Sequence, residues 1–189
     1  MAGFFGKLPS RGDFVSRDLP RSFVDAMDRW FRDGLHTSKK MLGDKWFPHY
    51  QVMPVWHFFM GEAVLDNQAW LGTWIPSEDR VNRHYPLLMA CPVDRVETIH
   101  DLRGYDDWLA EVTDLLIDAL LESRDFEVLY DSFVALEPGE APARNGCTGV
   151  PLFDMDDGWL GRNLFSDEPS QAKEFDRARI EPDCCVWQT

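Results

Sequence analysis

The run at residues 87–91, Leu-Leu-Met-Ala-Cys, constrains the fold more than any other segment of the chain. Its side chains are almost all apolar, so a strand built from them has no face to turn toward water. Such a strand fits the centre of a sheet that is covered on both faces. The rest of the chain is therefore expected to supply a covering layer on each side.

Two other segments have the composition of strands. Residues 54–60 are rich in aromatic and β-branched side chains, and residues 69–75 repeat that composition after Asp66 and Asn67. The two segments pair most simply as an antiparallel hairpin. Shorter strands are predicted at residues 3–6, 150–153 and 184–187.

An amphipathic helix is predicted early in the chain. Asp18 is the predicted N-cap, Pro20 lies near the first turn, and Gly34 marks the predicted end. A second, shorter helix is predicted for residues 37–42, with Gly43 as its stop. The apolar positions of the first helix follow helical spacing: Phe23, Val24, Met27, Trp30 and Phe31.

The most regular helical pattern covers residues 105–120. Apolar residues recur on one side of it and acidic residues occupy the other, so the apolar side is expected to pack on the sheet. A following helix is predicted for residues 125–136, although Phe126, Val128 and Tyr130 also alternate as in a strand. The apolar side of the longer helix comprises Trp108, Val112, Leu115, Leu116 and Ala119.

These elements predict one α/β domain over residues 1–189. Residues 144–183 are rich in Gly, Asp and Pro with weak periodicity, so irregular structure wrapping the core is expected there. The chain has no internal repeat and no low-complexity linker. The predicted architecture is an antiparallel or mixed sheet with helices on both faces, a three-layer sandwich.

The chain is strongly acidic, with a formal net charge of −14. Nucleic acids and anionic membrane surfaces are disfavoured partners, because both bind through Lys and Arg. A basic protein partner, or a basic patch on the acidic body, remains compatible with this charge. No apolar run has the length of a signal peptide or a membrane span, so a cytoplasmic protein without membrane insertion is expected.

The cysteines and acidic turns do not predict a metal site. Cys91, Cys147, Cys184 and Cys185 have no Cys-x-x-Cys spacing, so neither a zinc site nor a disulfide framework is expected. The acidic turn at residues 154–158 resembles the start of a calcium loop, but its Gly is one position early and the closing Glu is missing. We therefore expect neither metal nor cofactor.

The catalytic motifs sought in the chain are incomplete. Gly6 and Lys7 lack the remaining residues of a phosphate-binding loop, and Arg-Gly-Asp at residues 11–13 is most simply a turn. The histidines and serines show neither His-Glu-x-x-His nor Gly-x-Ser-x-Gly. His84 is the one imidazole considered for a functional role. A non-enzymatic protein is expected.

Two charged segments, residues 3–14 and 75–88, combine Gly and Pro with both signs of charge. We expect them to meet in space, because opposite charges on them could pair: Asp13 with Arg80 or Arg83, and Asp79 with Lys7 or Arg11. They could be interlocking structural turns, a partner-binding surface, or both. The candidate binding residues are Lys7, Arg11, Asp13, Ser77, Asp79, Arg80 and Arg83.

Together with Trp46, Tyr50 and residues 53–58, these segments resemble the N-terminal domain of the TagF/ImpM proteins associated with type VI secretion. The resemblance is specific over residues 3–90, looser to about residue 136, and returns at residues 184–189, which are similar to the family's C-terminal strand. Asn82 stands where the family more often has Gly. Asn is the residue that best replaces Gly at positive φ, so the turn can survive.

The resemblance implies a cytosolic regulator that restrains type VI secretion post-translationally by engaging the system's forkhead-associated-domain scaffold protein. Composition and spacing do not show this by themselves. One alternative is a small-anion-binding protein or enzyme that uses the cluster of Lys7, Arg11, Arg80 and Arg83. Another is a structural component of the secretion machine. The sequence leaves the oligomeric state open.

Overall fold

The computed structural model of the chain describes residues 2–62, 64–65, 67–93, 102–122, 125–136, 138 and 184–188. Six strands in these residues form one antiparallel sheet. They are β1 (Gly3–Lys7), β2 (Phe14–Arg17), β3 (Trp56–Met60), β4 (Ala69–Ile75), β5 (Leu87–Val93) and β6 (Cys184–Gln188). Their order across the sheet is β2-β1-β5-β4-β3-β6.

Helices cover both faces of this sheet. On one face lies α1 (Arg21–Leu42), whose buried residues share a core cluster with the sheet. On the other face lie α3 (Asp106–Leu121) and α4 (Phe126–Val134), within a second cluster. The short helix α2 (Trp46–Gln51) follows a single 3₁₀ turn at Gly43–Lys45, and another 3₁₀ turn at Arg103–Tyr105 precedes α3. The predicted three-layer α/β architecture is confirmed.

The apolar run at residues 87–91 occupies the interior of the sheet, as its composition predicts. It lies in β5, between β1 and β4. Leu88 and Ala90 face the cluster with α1, whereas Leu87 and Met89 face the cluster with α3 and α4. Alternation along the strand thus places apolar side chains in both cores.

The first helix differs from its prediction at both ends. Pro20, not Asp18, is the N-cap, and Asp18 has a φ of 60°. The helix also passes through Gly34 and includes the second predicted helix, because an exposed Gly costs a helix only about 1 kcal/mol. It ends at Leu42, and Gly43 with a φ of 53° is the predicted stop.

Most other elements match the sequence predictions. The β3–β4 hairpin, β5, β6 and α3 are confirmed. Residues 126–134 form a helix, not a strand, and the side chain of Asp125 caps it by accepting a hydrogen bond from the Glu127 amide at 2.9 Å. Strand β2 and helix α2 were not predicted from the sequence. The predictions for residues 144–183 lie outside the described residues, and a single domain over the whole chain stays a prediction.

Candidate interaction surface

The two charged segments meet at one end of the sheet. The end of β1 leads into the loop at residues 8–13, and the connection between β4 and β5 forms the loop at residues 76–86. The amide of Arg80 donates to the carbonyl of Arg11 at 2.9 Å, and the Lys7 amide donates to the carbonyl of Pro86 at 3.3 Å. The prediction that the segments meet is confirmed.

A buried charge node, formed by Lys7, Asp79 and Arg83, joins the two loops. Asp79 Oδ2 lies 2.8 Å from Lys7 Nζ and 2.7 Å from Arg83 Nε. Asp79 Oδ1 accepts hydrogen bonds from the amides of Val81 and Arg83, each at 3.0 Å. Only 1% of Asp79 and 6% of Lys7 are exposed to solvent. The carboxylate therefore organises the turn around itself and connects it to β1.

The charge of Asp79 is stabilised despite its burial. Burial alone raises the pKa of this carboxyl, but hydrogen bonds from the Lys7 amine, the Arg83 amide and side chain and the Val81 amide outweigh that effect. The pKa of Asp79 is consequently held well below its ordinary value. The Asp79 carboxyl is therefore ionised at neutral pH.

Ser77 and Tyr50 support the node from the side. The Ser77 hydroxyl donates to the carbonyl of Lys7 at 2.8 Å. The Tyr50 hydroxyl donates to the Ser77 carbonyl at 2.9 Å and accepts from the Ser77 amide at 3.0 Å. Burial raises the pKa of Tyr50, so its hydroxyl keeps its proton at neutral pH. This side chain of α2 thus fixes the start of the second loop.

Three of the predicted binding residues lie inside the protein and not on its surface. Lys7, Ser77 and Asp79 are buried, so their side chains do not reach a partner. Their hydrogen bonds satisfy polar groups inside the protein, which is the only way such groups are tolerated there. The prediction of direct partner contact is therefore corrected for these three residues, which hold the loops in place.

Arg11, Asp13, Arg80 and Arg83 form the outer side of the same loops and are exposed. The Arg83 side chain is 57% exposed although it binds Asp79, and its Nη2 donates to the Gly12 carbonyl at 2.6 Å. Asp13 Oδ1 accepts a hydrogen bond from the Phe14 amide at 2.8 Å. The predicted pairing of Asp13 with Arg80 or Arg83 is wrong, since Arg83 binds Asp79 and the Asp13 carboxylate binds backbone.

Two exposed aromatic rings flank these loops, and neither is among the binding residues predicted from the sequence. Phe14 and Phe47 are each 42% exposed. Phe14 packs edge-on against Tyr85, with ring centroids 4.8 Å apart, and Phe47 stacks on His84 at 4.9 Å. His84 Nδ1 also lies 3.1 Å from a Glu78 carboxylate oxygen. This imidazole therefore has a structural role in closing the turn.

Asn82 lies at the tip of the second loop with a φ of 61°. Its amide donates to the Asp79 carbonyl at 2.8 Å, which closes the turn. The left-handed conformation expected at this position is therefore present, and Asn adopts it with less strain than most residues other than Gly.

Residues 3–136 match the family model of the TagF N-terminal domain, which is type VI secretion system-associated. The chain belongs to this family. The TagF-type fold is also similar to the crystal structure of PA0076 from Pseudomonas aeruginosa PAO1, with 36% sequence identity and a TM-score of 0.66. The similarity covers 76% of this chain and 64% of PA0076, so this chain spans less than two thirds of that protein's length. No curated protein matches the sequence.

The described part of this TagF-family chain has neither a side-chain cluster suited to a metal ion nor a helix able to span a bilayer. Its His, Cys, Asp and Glu residues form no group of three or more that could hold a metal ion. The acidic turn at residues 154–158 lies outside the described residues. None of the described helices has the length and apolar character needed to cross a bilayer.

Proposed function

We propose that this TagF-family chain is a non-enzymatic cytoplasmic regulator that represses type VI secretion post-translationally. It acts by binding the forkhead-associated-domain scaffold protein of the system. The observation that carries the proposal is the exposed set of Arg11, Arg80 and Arg83 on two loops that the buried charge node holds together. Family membership supports the secretion context.

The loops have the properties of a protein-binding surface. Because the buried charge node and Ser77 hold the two loops in one conformation, the loops have little conformational entropy to lose on binding. Arg and aromatic residues are enriched at the energetic centres of protein interfaces, and these loops carry three exposed arginines together with exposed Phe14, while exposed Phe47 stacks on His84 of the second loop. Exposed cations also steer an acidic partner toward the surface.

The small-anion alternative has less support. It requires Lys7, Arg11, Arg80 and Arg83 to act as one cluster, but the Lys7 amine is buried and bound to the Asp79 carboxylate and the Arg83 carbonyl. A bound anion would have to displace an internal carboxylate to reach it. A purely structural role in the machine predicts self-association, which size-exclusion chromatography of the purified chain would detect.

Isothermal titration calorimetry with the purified scaffold protein tests the proposal. Arg11→Glu/Arg80→Glu should abolish binding and leave the fold intact, because exposed charges contribute little to stability. Binding to the parent chain should weaken as salt rises, since exposed charges are screened beyond roughly 10 Å at about 0.1 M ionic strength. In cells, the variant should release secretion from restraint while accumulating normally.

The matched control is Arg29→Glu/Lys40→Glu, which makes the same charge change at exposed positions of α1. It should bind the scaffold protein like the parent chain. If the loop variant folds, accumulates and still binds and restrains secretion, the loops are structural and the proposal is wrong.

A further inference from the structure

Two arginine side chains converge on Gly12. Arg83 Nη2 donates to the Gly12 carbonyl at 2.6 Å. Arg80 Nη2 lies 3.3 Å from the point where a Cβ on residue 12 would be, and its Cζ and Nε lie 3.9 Å from that point. The absence of a side chain at Gly12 therefore lets the Arg80 guanidinium lie close over the first loop.

The charges at this point are not balanced. The single carboxylate of Asp79 serves both Lys7 and Arg83, which leaves an excess of positive charge in the node. Within the described residues, no carboxylate lies within ion-pair distance of the Arg80 guanidinium. The chain as a whole is acidic, so this excess is a local feature of the loops.

We propose that Arg80, with Arg83 beside it over Gly12, forms a subsite that binds a Glu or Asp side chain from an acidic segment of a protein partner. The inference rests on the proposed function, because the subsite belongs to the same surface. A guanidinium presents a planar fork of donors that matches a carboxylate. Among the described residues no carboxylate pairs with the Arg80 fork, whereas Arg83 uses Nε for Asp79 and Nη2 for Gly12.

Gly12 is a positioning residue in this subsite. A larger side chain would displace the Arg80 guanidinium from its position over Gly12 without changing any charge. Val81, which is 61% exposed on the second loop, and Phe14 on the first supply apolar surface for the residues beside the bound carboxylate. The subsite thus fits an acidic segment that also contains apolar side chains.

Nuclear magnetic resonance titration of the ¹⁵N-labelled chain tests the subsite. The probes are a short peptide of Glu and Leu, its counterpart with Gln in place of Glu, and a counterpart with phosphothreonine in place of Glu. The Glu peptide should shift the Gly12 amide and the Arg80 Nε signals, and the Gln peptide should not. Arg80→Ala should weaken binding of the Glu peptide about tenfold, the effect of losing one charge-assisted contact.

Two further variants separate position from charge. Gly12→Val retains every charge and should weaken binding of the Glu peptide about as much as Arg80→Ala. Arg29→Ala removes an exposed arginine of α1 and should leave binding unchanged. The amide spectrum of each variant shows whether it folds; if Gly12→Val does not, Arg80→Ala and Arg29→Ala decide the test.

The proposal is overturned if the Glu peptide leaves Gly12 and Arg80 unshifted, or if Arg29→Ala weakens binding as much as Arg80→Ala. Much tighter binding of the phosphothreonine peptide would overturn the assignment of a carboxylate. These results are independent of the scaffold protein. Scaffold binding that is lost in the Arg11→Glu/Arg80→Glu variant, combined with peptides that do not bind, would leave the proposed function standing and remove the subsite.

Discussion

Asp79 and Arg80 are neighbours in one turn, yet they have opposite environments. Asp79 is almost completely buried and its carboxylate accepts hydrogen bonds from two cations and two amides. Arg80 is exposed, and its guanidinium has no carboxylate partner within the described residues. Within one turn, a buried charge thus stabilises the loop while the neighbouring charge is exposed to solvent.

The predicted binding residues as a whole are also divided between buried and exposed positions. Lys7, Ser77 and Asp79 lie inside and hold β1 to the turn. Removing one partner of a buried ion pair is costly because the other charge is left without compensation. Exposed ion pairs, in contrast, contribute about 0–1 kcal/mol. Substitutions of the buried residues should therefore lower stability much more than substitutions of the exposed ones.

The largest effect is expected at Asp79. Asp79→Ala should lower the free energy of unfolding by about 3–5 kcal/mol, because the Lys7 amine loses its carboxylate inside the protein. Urea unfolding measures this loss. Lys7→Met/Asp79→Leu removes both charges and should recover part of it. A loss below about 1 kcal/mol for Asp79→Ala is typical of an exposed ion pair, and it would show that Asp79 does not differ from Arg80 in its contribution to stability.

His57 provides a buried group that remains neutral, in contrast to Asp79. Burial lowers the pKa of His57 to about 4, and its Nδ1 lies 2.9 Å from the Thr73 hydroxyl. Between about pH 6.5 and the folded-state pKa of about 4, His57 is protonated in the unfolded chain but not in the folded chain. The free energy of unfolding therefore falls as the pH falls through this window. The loss should reach about 3 kcal/mol across this window.

Urea unfolding between about pH 7 and about pH 4.5 checks this prediction. His57→Gln should flatten the part of the pH dependence that His57 contributes. Asp79, whose pKa is lowered, contributes its stability above its ordinary pKa and loses it only as the pH falls below that range. An equal slope in parent and variant would show that His57 is not held neutral by burial.

A smaller effect is expected at the tip of the turn. Asn82→Ala should cost part of the roughly 1–2 kcal/mol that a Cβ imposes at positive φ, because Ala keeps the Cβ but lacks the short polar side chain that offsets this strain in Asn. Asn82→Gly should cost nothing, since Gly adopts this conformation without strain. Thermal unfolding of both variants provides the comparison. If Gly costs as much as Ala, the Asn82 side chain, not its backbone conformation, stabilises the turn.

The sequence predicted the layers better than the positions of the charges. The apolar run in β5 and the one-sided pattern of α3 each require a specific environment, so both were predicted correctly. The strand β2 was missed because Phe14–Arg17 has one buried side chain, Val15, and no clear alternation. The passage of α1 through Gly34 depends on tertiary packing, which local propensity does not record.

The sequence also predicted only part of the candidate site. The sequence showed that the two charged loops belong together, and Asp79 followed by amides at the second and fourth positions is a typical turn pattern. It did not show which charges are inside. Lys7 is buried because it ends β1, an interior strand between β2 and β5 whose residues are all buried, and local sequence does not record that placement.

Urea unfolding of Arg80→Ala and of the parent chain tests most directly whether exposed Arg80, unlike buried Asp79, contributes little to stability. If Arg80 is held in place for contact and not for stability, the two values should agree within about 0.5 kcal/mol. A loss above about 2 kcal/mol would show instead that Arg80, like Asp79, holds the loops together.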